Sequence, residues 1–267
     1  MLASLPMYDW PETRAITDLW WQALRKALIK EGVTSAPFNL VRHTDDHHNW
    51  KSSNLIVGQT CGYPFTHGYS DHLKILGIPD YKTRGCQNFQ YQSLILCHKD
   101  QTFVDLESFR NKKAAINDVN SQSGYSAFRH SIAPLANGGP FFKEVIHTGG
   151  HRFSLKALSL GEVDICAVDP VSFALAERYV PDLVASLQIV TLSAPAPCLP
   201  LVCHRFIEDD LYNRIQQALF TAFDDPTHED LRQQLFLNGI NKGYSSDYQR
   251  IITMENEAYE WGYSELE

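Results

Sequence analysis

The sequence predicts an α/β protein with mostly parallel sheets. Short apolar runs, typical of buried strands, alternate with segments whose apolar residues recur at helical spacing, and this alternation is typical of parallel sheets flanked by helices. The 267 residues suffice for one large or two medium-sized domains with substantial cores. Hydrophobic residues make up 44% of the chain and charged residues 20%, a composition typical of folded globular proteins.

The amino-terminal elements follow one another closely. Residues 3–7 predict the first strand, and a helix is expected to begin at Pro11, since proline is favoured in the first helical turn. Residues 38–41 and 55–57 predict two further strands. The predicted helix has an apolar face formed by Ile16, Leu19, Trp20, Ala23, Leu24, Ala27 and Leu28.

Longer extended runs and three helices make up much of the remaining chain. Residues 91–98 and 187–193 predict two long strands, and another strand is predicted at 199–203. The predicted carboxy-terminal helices cover residues 209–223, 228–236 and 245–259.

The most informative segment lies at residues 113–135. A short predicted strand at 113–117 precedes the sequence Ser-Gln-Ser-Gly at 121–124, and apolar residues at helical spacing follow over 125–135. A helix start exposes unpaired N–H groups at the positive end of the helix dipole, so it suits an oxyanion. The same residue types also cap ordinary helices, so this pattern alone leaves both roles open.

A second segment has the same organisation. A strand ends near residue 147, a Gly-Gly turn follows, and a helix is predicted to begin near His151. The next predicted strand, at 165–168, leads directly to Asp169. In open α/β sheets ligands bind beyond the carboxyl ends of the strands, and both side chains are expected there. Asp169 is also expected to cap the helix that begins at Pro170.

Together these segments resemble the phosphonate/phosphite/phosphate-type solute-binding proteins of ABC transporters. That family combines a Ser-x-Ser-Gly helix start with a later Gly-Ser-His helix start and an Asp-containing strand. This chain has Ser-Gln-Ser-Gly at 121–124, Gly-Gly-His at 149–151 and an acidic strand region at 164–169. The segments 5–11 and 59–64 also resemble a subgroup of the family.

The resemblance implies a two-lobed type 2 periplasmic-binding-protein-like fold. Each lobe would be a mostly parallel sheet flanked by helices, with two hinge crossovers near residues 92 and 192. Residues 1–92 and 192–267 would form a discontinuous first lobe, residues 93–191 would form the second, and a ligand cleft would lie between them. The ligand would be a small anion such as a phosphonate, phosphite or phosphate, and the partner would be an ABC permease.

The resemblance also implies roles for individual side chains. Ser121, Ser123 and nearby backbone N–H groups would hold the oxyanion, while Gln122 stands where the family usually has a hydroxyl residue and would donate through its amide. His151 would donate a further hydrogen bond, which a protonated ring would make charge-assisted. Asp169 would accept a hydrogen bond from a protonated ligand oxygen or a ligand amine, which favours a monobasic anion. The expected ligand-binding residues are Tyr8, Tyr63, Tyr91, Ser121, Gln122, Ser123, His151 and Asp169.

Other aspects of the site remain open in the sequence. The three tyrosines would provide an apolar wall and hydroxyl donors, but Tyr8 and Tyr63 fit a simple covering of the sheet edge equally well. No second acidic residue matches the one that holds the amino group of aminoalkyl phosphonates in the family, so the ligand class stays broad.

Two other function classes remain as alternatives. Pyrimidine-synthase-like enzymes of thiamine metabolism share this fold, but their run of clustered cysteines is absent from this sequence. A ligand-sensing domain is the third possibility, although we find no recognisable helix-turn-helix segment. The sequence has no Gly-x-Ser-x-Gly elbow, P-loop or GxGxxG, so we expect a binding protein without a cofactor.

Charge and hydropathy restrict the partners. The net charge of −8 argues against nucleic acid, whose phosphate backbone is bound by basic stripes. An acidic protein must hold an anion through local donors and dipoles, because its overall field is repulsive. No apolar run approaches the length of a membrane span. Residues 43–48 have the composition of a metal site but match no standard zinc spacing, so we expect a solvated loop.

The cysteines and the amino terminus bear on location. Cys97, Cys166 and Cys203 lie in apolar runs and are expected to be buried. Scattered thiols without a C-x-x-C pair suit a reducing compartment. Because no basic segment followed by an apolar one opens the chain, we expect a cytoplasmic protein, or a periplasmic one if a signal segment has been removed. The six cysteines are Cys61, Cys86, Cys97, Cys166, Cys198 and Cys203.

Overall fold

The computed structural model describes residues 1–42, 46–102 and 105–267. They form two compact units, each with its own five-stranded sheet. The predicted α/β class is confirmed, but both sheets mix parallel with antiparallel strands, whereas the sequence predicts mostly parallel ones. The first unit comprises Met1–Lys82, Gln87–Phe89 and Pro197–Tyr248. The second unit comprises Thr83–Cys86, Gln90–Ala196 and Gln249–Glu267.

The elements are numbered in chain order. The α-helices of the described residues are α1 (Arg14–Lys30), α2 (Asp46–Lys51), α3 (Gly62–Pro64), α4 (Ala127–Ala136), α5 (His151–Ser159), α6 (Pro170–Tyr179), α7 (Asp209–Asp224), α8 (Glu229–Gln234) and α9 (Gln249–Glu260). The strands are β1 (Leu2–Ser4), β2 (Leu55–Gln59), β3 (Leu73–Tyr81), β4 (Cys86–Gln87), β5 (Gln90–Tyr91), β6 (Leu94–His98), β7 (Lys113–Ile116), β8 (Glu144–His147), β9 (Ile165–Val168), β10 (Leu187–Leu192), β11 (Ala196–Pro197), β12 (Leu201–His204) and β13 (Leu237–Asn241). Short 3₁₀ turns lie at Leu106–Phe109, Pro181–Leu183, Pro226–His228 and Ser245–Tyr248, and π-type turns at Phe65–Tyr69 and Gln122–Ser126.

The first unit contains a mixed sheet with strand order β1-β2-β12-β3-β13. β1 and β2 are parallel, whereas β12 runs antiparallel to both of its neighbours and β13 runs antiparallel to β3. The helices α1 and α7 contact one another and bury apolar faces in a shared core with the sheet. Trp20 of α1 meets Phe223 of α7 edge to face in this core, with ring centroids 5.0 Å apart.

The first helix begins later than the sequence predicts. Instead of starting at Pro11, α1 starts at Arg14, because residues 10–13 form a separate turn. The Thr13 hydroxyl stabilises this turn by accepting from the Trp10 N–H at 2.8 Å and donating to the Tyr8 carbonyl at 2.8 Å. The predicted apolar face is buried except for Leu19, which is exposed.

Two strand predictions in the first unit differ from the structure. The strand predicted at residues 38–41 is wrong: the segment contributes a single N–H, from Val41 to the Ala3 carbonyl, and no ladder forms along it. Conversely, the nine-residue β3 escapes the strand pattern because Gly77 and Pro79 interrupt it. A Cβ at Gly77 would lie 2.7 Å from Ile240 Cδ1, so close packing against β13 requires glycine there.

The second unit contains a sheet with strand order β10-β6-β9-β7-β8. β7 is parallel to both β8 and β9, while β6 is antiparallel to β9 and β10. The long strand predicted at 91–98 is divided into β5 and β6, and the two-residue strands β4, β5 and β11 form a third, small sheet. Short strands at the predicted positions 113–117 and 165–168 are confirmed as β7 and β9.

The carboxy-terminal segment belongs to the second unit, whereas the sequence analysis assigned all of 192–267 to the first lobe. The apolar face of α9 packs against α4, and Tyr263 and Leu266 complete the same core. The N–H groups of Phe141 and Phe142 both donate to the Glu267 carbonyl. An amphipathic helix pattern indicates a buried face but not which core it joins, and this explains the difference.

Candidate functional site

The parallel strands of the second unit bring three helix starts to one edge of its sheet. β7, β8 and β9 run in the same direction, so the residues that follow their carboxyl ends lie at a common edge. Residues 117–124 follow β7, residues 148–151 follow β8, and Asp169 follows β9. The topology therefore gathers the predicted residues Ser121, Ser123, His151 and Asp169 at this carboxyl edge.

Ser121 opens the first of these helix starts. Its backbone is extended, and its Oγ accepts from the Gly124 N–H at 3.0 Å, as a helix cap does. The carbonyl of Ser121 accepts from the Ser126 N–H at 3.0 Å, which closes a wide π-type turn ahead of α4. Ser121 thus has the capping role, while its hydroxyl proton remains available for donation.

Ser123 and His151 join two helix starts. The Ser123 Oγ lies 2.8 Å from the His151 Nε2 and 3.5 Å from the Ser121 Oγ. Ser123 is only 3% exposed, so its hydroxyl is held in place by its surroundings. His151 is the first residue of α5, directly after the Gly-Gly turn. Two hydroxyls and one imidazole therefore form a compact polar cluster at the carboxyl edge.

Burial keeps the His151 ring neutral at neutral pH. It lowers the pKa of His151 to about 4, because the charged imidazolium would lose its hydration. The residue as a whole retains some exposure, but its Nδ1 is buried and has no hydrogen-bond partner among the described residues. Without a bound anion this ring is therefore a neutral hydrogen-bonding group, and its contact with a ligand stays a prediction.

Asn117 and Gly124 also belong to the polar cluster, although neither is among the predicted ligand-binding residues. A Cβ at Gly124 would lie 1.9 Å from the Asn117 Oδ1 and 3.1 Å from the His151 Cε1. Only glycine therefore allows these two side chains to approach the helix start. The position of Asn117, directly after the last residue of β7, was the available signal for it.

Asp169 fulfils the predicted cap. Its Oδ1 accepts from the Ser172 N–H at 2.9 Å, and Pro170 occupies the first position of α6. Asp169 is only 2% exposed, so its carboxyl group is buried at this edge of the sheet. A direct contact with a ligand stays a prediction.

Gln122 contacts α9 as well as the helix start. Its side chain is only 1% exposed, and its Nε2 lies 3.6 Å from the Met254 Sδ of α9. The expected amide contact with the anion stays a prediction. The signal at the motif was ambiguous because alternate side chains of a helix start face opposite sides.

Tyr91 and Ser93 approach the same edge from the antiparallel strand. Leu94 of β6 pairs with Val168 of β9, so the residues before β6 lie beside the start of α6. The Ser93 N–H donates to the Ser193 Oγ at 2.8 Å, and its own Oγ is buried without a partner among the described residues. Tyr91 is buried immediately upstream.

Tyr8 and Tyr63 belong to the first unit. Tyr8 packs edge to face on Tyr81, with centroids 5.4 Å apart, and lines a mainly apolar cavity of about 50 Å³. Tyr63, in α3, stacks on His67 with centroids 3.8 Å apart. Each is described within its own unit, and a common ligand site with the second-unit residues stays a prediction.

The described residues show neither a metal-binding cluster nor a membrane-spanning helix. Within residues 1–42, 46–102 and 105–267, no group of three or more His, Cys, Asp or Glu side chains is arranged to hold a metal ion. Residues 43–45 of the predicted solvated loop lie outside the described residues, and the loop prediction is wrong for residues 46–48, which form the start of α2. None of the described helices combines the length and the apolar character needed to cross a bilayer. All six cysteines are free, and Cys97, Cys166 and Cys203 are buried as predicted.

Several solved structures share this fold. A binding-protein component of an ABC phosphonate transporter from Pseudomonas aeruginosa has a TM-score of 0.78 at 14% identity, covering 97% of this chain and 87% of that one. PhnD1 from Prochlorococcus marinus, solved with methylphosphonate, has a TM-score of 0.75 at 12% identity, covering 97% and 98%. A Xanthomonas citri protein bound to chloride has a TM-score of 0.73 at 12% identity, covering 97% and 98%. The two-lobed periplasmic-binding-protein fold is thereby confirmed.

Sequence comparison identifies the family. No curated protein matches the sequence. The family model described as "ABC transporter, phosphonate, periplasmic substrate-binding protein" matches residues 70–248, which include the helix starts at Ser121 and His151 and the cap at Asp169. The chain therefore belongs to the family of periplasmic substrate-binding proteins of ABC phosphonate transporters.

Proposed function

We propose that this protein binds a small phosphorus oxyanion, such as a phosphonate, phosphite or phosphate, and delivers it to an ABC permease. The observation that carries the proposal is the hydrogen-bonded pair of Ser123 and His151 at a helix start, in a chain of this family. The family's members are solute-binding proteins, and the Prochlorococcus relative was solved with methylphosphonate.

The oxyanion would be held by neutral donors and backbone N–H groups. The start of the π-type turn and α4 offers unpaired N–H groups, and the helix dipole favours negative charge there. Ser121 accepts one N–H as a cap but can donate its own proton to a ligand oxygen. A site built from local donors also suits a protein whose net charge is −8.

The Ser123 hydroxyl would donate to the ligand through a fixed arrangement of protons. If the neutral His151 carries its proton on Nε2, it donates to the Ser123 Oγ and leaves the serine proton free for the oxyanion. Nδ1 then carries only a lone pair, for which burial without a donor costs less than burial of an unpaired N–H would. This tautomer therefore supports the binding role.

Asp169 would select the protonation state of the ligand. A buried carboxylate near an anion is repulsive unless a proton lies between them, so it favours a ligand that keeps one acidic proton or carries an amine. The monoanions of phosphonates, of phosphite and of phosphate (dihydrogen phosphate) meet that condition. Tyr91 and Ser93 would border the same ligand from the strand that is antiparallel to β9.

The transport role has a consequence for location. The family is described as periplasmic, and delivery to an uptake permease requires the protein outside the inner membrane. A cytoplasmic location, expected from the scattered thiols, would instead favour the enzyme or sensor alternatives. We propose the transport role, and cell fractionation of the native protein distinguishes the two locations.

Ligand binding can be tested directly. Native mass spectrometry of the purified protein should reveal a co-purified ligand, and thermal melts should include phosphate, phosphite and methylphosphonate at millimolar concentration. A ligand that binds only the folded state stabilises it by about 2.7 kcal/mol at a hundredfold excess over Kd. Absence of any shift with all three oxyanions would reject the proposal. A ³¹P spectrum that changes during incubation would instead indicate an enzyme.

A further inference from the structure

Asn117 lies at the polar cluster with an arrangement that capping does not explain. It directly follows β7, and its backbone carbonyl accepts from the Gly149 N–H at 2.9 Å, which links the turns after β7 and β8. Its side-chain Oδ1 is buried and has no hydrogen-bond partner among the described residues. A buried acceptor without a partner destabilises the folded state, so its presence needs an explanation such as a role in ligand binding.

The carbonyl end of the amide is packed against Gly124. The Oδ1 and Cγ atoms of Asn117 would lie 1.9 and 2.8 Å from a Cβ at that glycine, so the amide occupies the space a side chain would need. The oxygen in this place can accept a weak Cα–H contact from Gly124. The structure thus places the amide with its oxygen inward and its Nδ2 on the opposite side.

The opposite end of the same amide is a free donor. The Asn117 Nδ2 donates no hydrogen bond to any residue in the part of the chain that the structure describes. Unlike the Oδ1, this nitrogen is not fully buried. Because the His151 ring also lies within 3.1 Å of the Gly124 Cβ position, the amide stands beside the Ser123–His151 pair. An oriented N–H donor is thus added to the hydroxyls at the edge.

We propose that Asn117 is a further ligand-binding residue, whose Nδ2 donates to an oxygen of the bound oxyanion. The inference rests on the proposed function and deepens it. Together with Ser121 and Ser123, the amide supplies side-chain donors for three oxygens, which matches a tetrahedral phosphorus oxyanion better than a planar carboxylate with two. Asn117 therefore contributes to selection between these classes of anion.

The test compares two substitutions at Asn117 with matched substitutions at Asn120. Asn120 is exposed in the same turn, so Asn120→Asp adds an equal charge and Asn120→Ala removes an equal side chain. Affinities for phosphate, phosphite, methylphosphonate and acetate are measured by calorimetric titration. Melting temperatures without ligand show that each variant is folded.

We expect Asn117→Ala to weaken oxyanion binding about tenfold, as loss of one hydrogen bond to a charged group does. Asn117→Asp should weaken it about a hundredfold or more, since a donor becomes a like charge. Both should reduce the preference for methylphosphonate over acetate, and the Asn120 variants should bind like the wild type. Should Asn117→Asp fail to fold, the alanine variant decides.

The outcomes separate this inference from the proposed function. If the wild type binds an oxyanion and the Asn117 variants bind it equally well, Asn117 is not a ligand residue, and the proposed function stands. If Asn117→Asp and Asn120→Asp lose affinity equally, the loss comes from long-range charge repulsion, and Asn117 is not a ligand-binding residue. If the wild type binds none of the oxyanions, the proposed function fails and this inference fails with it.

Discussion

The Ser123 Oγ lies 2.8 Å from the His151 Nε2, although 28 positions separate the two residues in the sequence. The parallel pairing of β7 with β8 creates this proximity, because it places the helix starts after both strands at one edge. Neither side chain caps a helix. Ser121 caps the π-type turn that precedes α4, and α5 has no side-chain cap. The pair is thus available for a ligand.

Replacing Ser123 by alanine should weaken ligand binding more than folding. The change removes one donor to an anion, worth roughly 1.5–3 kcal/mol, so affinity should fall about ten- to a hundredfold. Ser121→Ala should lower affinity as well, but it should also cost about 1 kcal/mol of unfolding free energy, because Ser121 caps the helix start. Calorimetric titration and urea denaturation measure both quantities. Unchanged affinity in Ser123→Ala would remove this serine from the site.

Gly124→Ala should disrupt the polar cluster. The added Cβ would lie 1.9 Å from the Asn117 Oδ1, so the amide must move and the His151 ring beside it is crowded. We expect a loss of roughly 1–3 kcal/mol in stability, together with weaker oxyanion binding. Gly139→Ala is the control, since its Cβ would meet no atom within 4 Å. A Gly124→Ala protein as stable as this control would contradict the described packing.

Acidification should destabilise the protein through His151. Burial lowers its pKa to about 4, below the ordinary 6.5. Between these two values the histidine is protonated in the unfolded state but neutral in the folded state. Stability is therefore lost as pH falls from about 6.5 towards about 4, by about 3 kcal/mol in total. His151→Gln keeps an amide near Ser123 but does not titrate, and it should lack this part of the loss. Urea denaturation at neutral and acidic pH measures how much unfolding free energy each protein loses. An equal loss in the wild type and in His151→Gln would show that His151 does not cause it.

Thiol chemistry should distinguish exposed from buried cysteines. All six should react after denaturation without reductant, because the structure contains six free cysteines. In the native protein Cys61 and Cys86 should react first, since they are only partly buried. Burial raises the pKa of Cys166 well above its usual range and that of Cys203 to about 12, so their thiolates are scarce. Recovery of four or fewer thiols would reveal a disulfide and favour an oxidising compartment.

The sequence predicted the parts of the fold where local pattern and tertiary structure agree. The strand at 165–168 and the cap at Asp169 follow from an apolar run that ends in an acid before proline, and both are confirmed. The helix starts after β7 and β8 were located for the same reason. In contrast, β3 was missed because Gly77 and Pro79 are tolerated there only through packing with neighbouring strands.

In the candidate site, the sequence pattern did not predict the directions of the side chains. The motif at 121–124 indicated three polar side chains but not which of them faces which neighbour, and the Gln122 amide in fact approaches Met254. Asn117 was not recognised because its place beside Gly124 depends on contacts across the turn. The neutrality of His151 likewise follows from burial, which a sequence pattern does not report.

The segment Gln249–Glu267 places the two ends of the described chain in different units. A fluorophore attached at Met1 and another at Glu267 would therefore each label a separate unit. Energy transfer between them, measured before and after a ligand is added, would test whether the distance between the two labels changes. The path of the polypeptide thus provides terminal reporter positions for following ligand-induced motion.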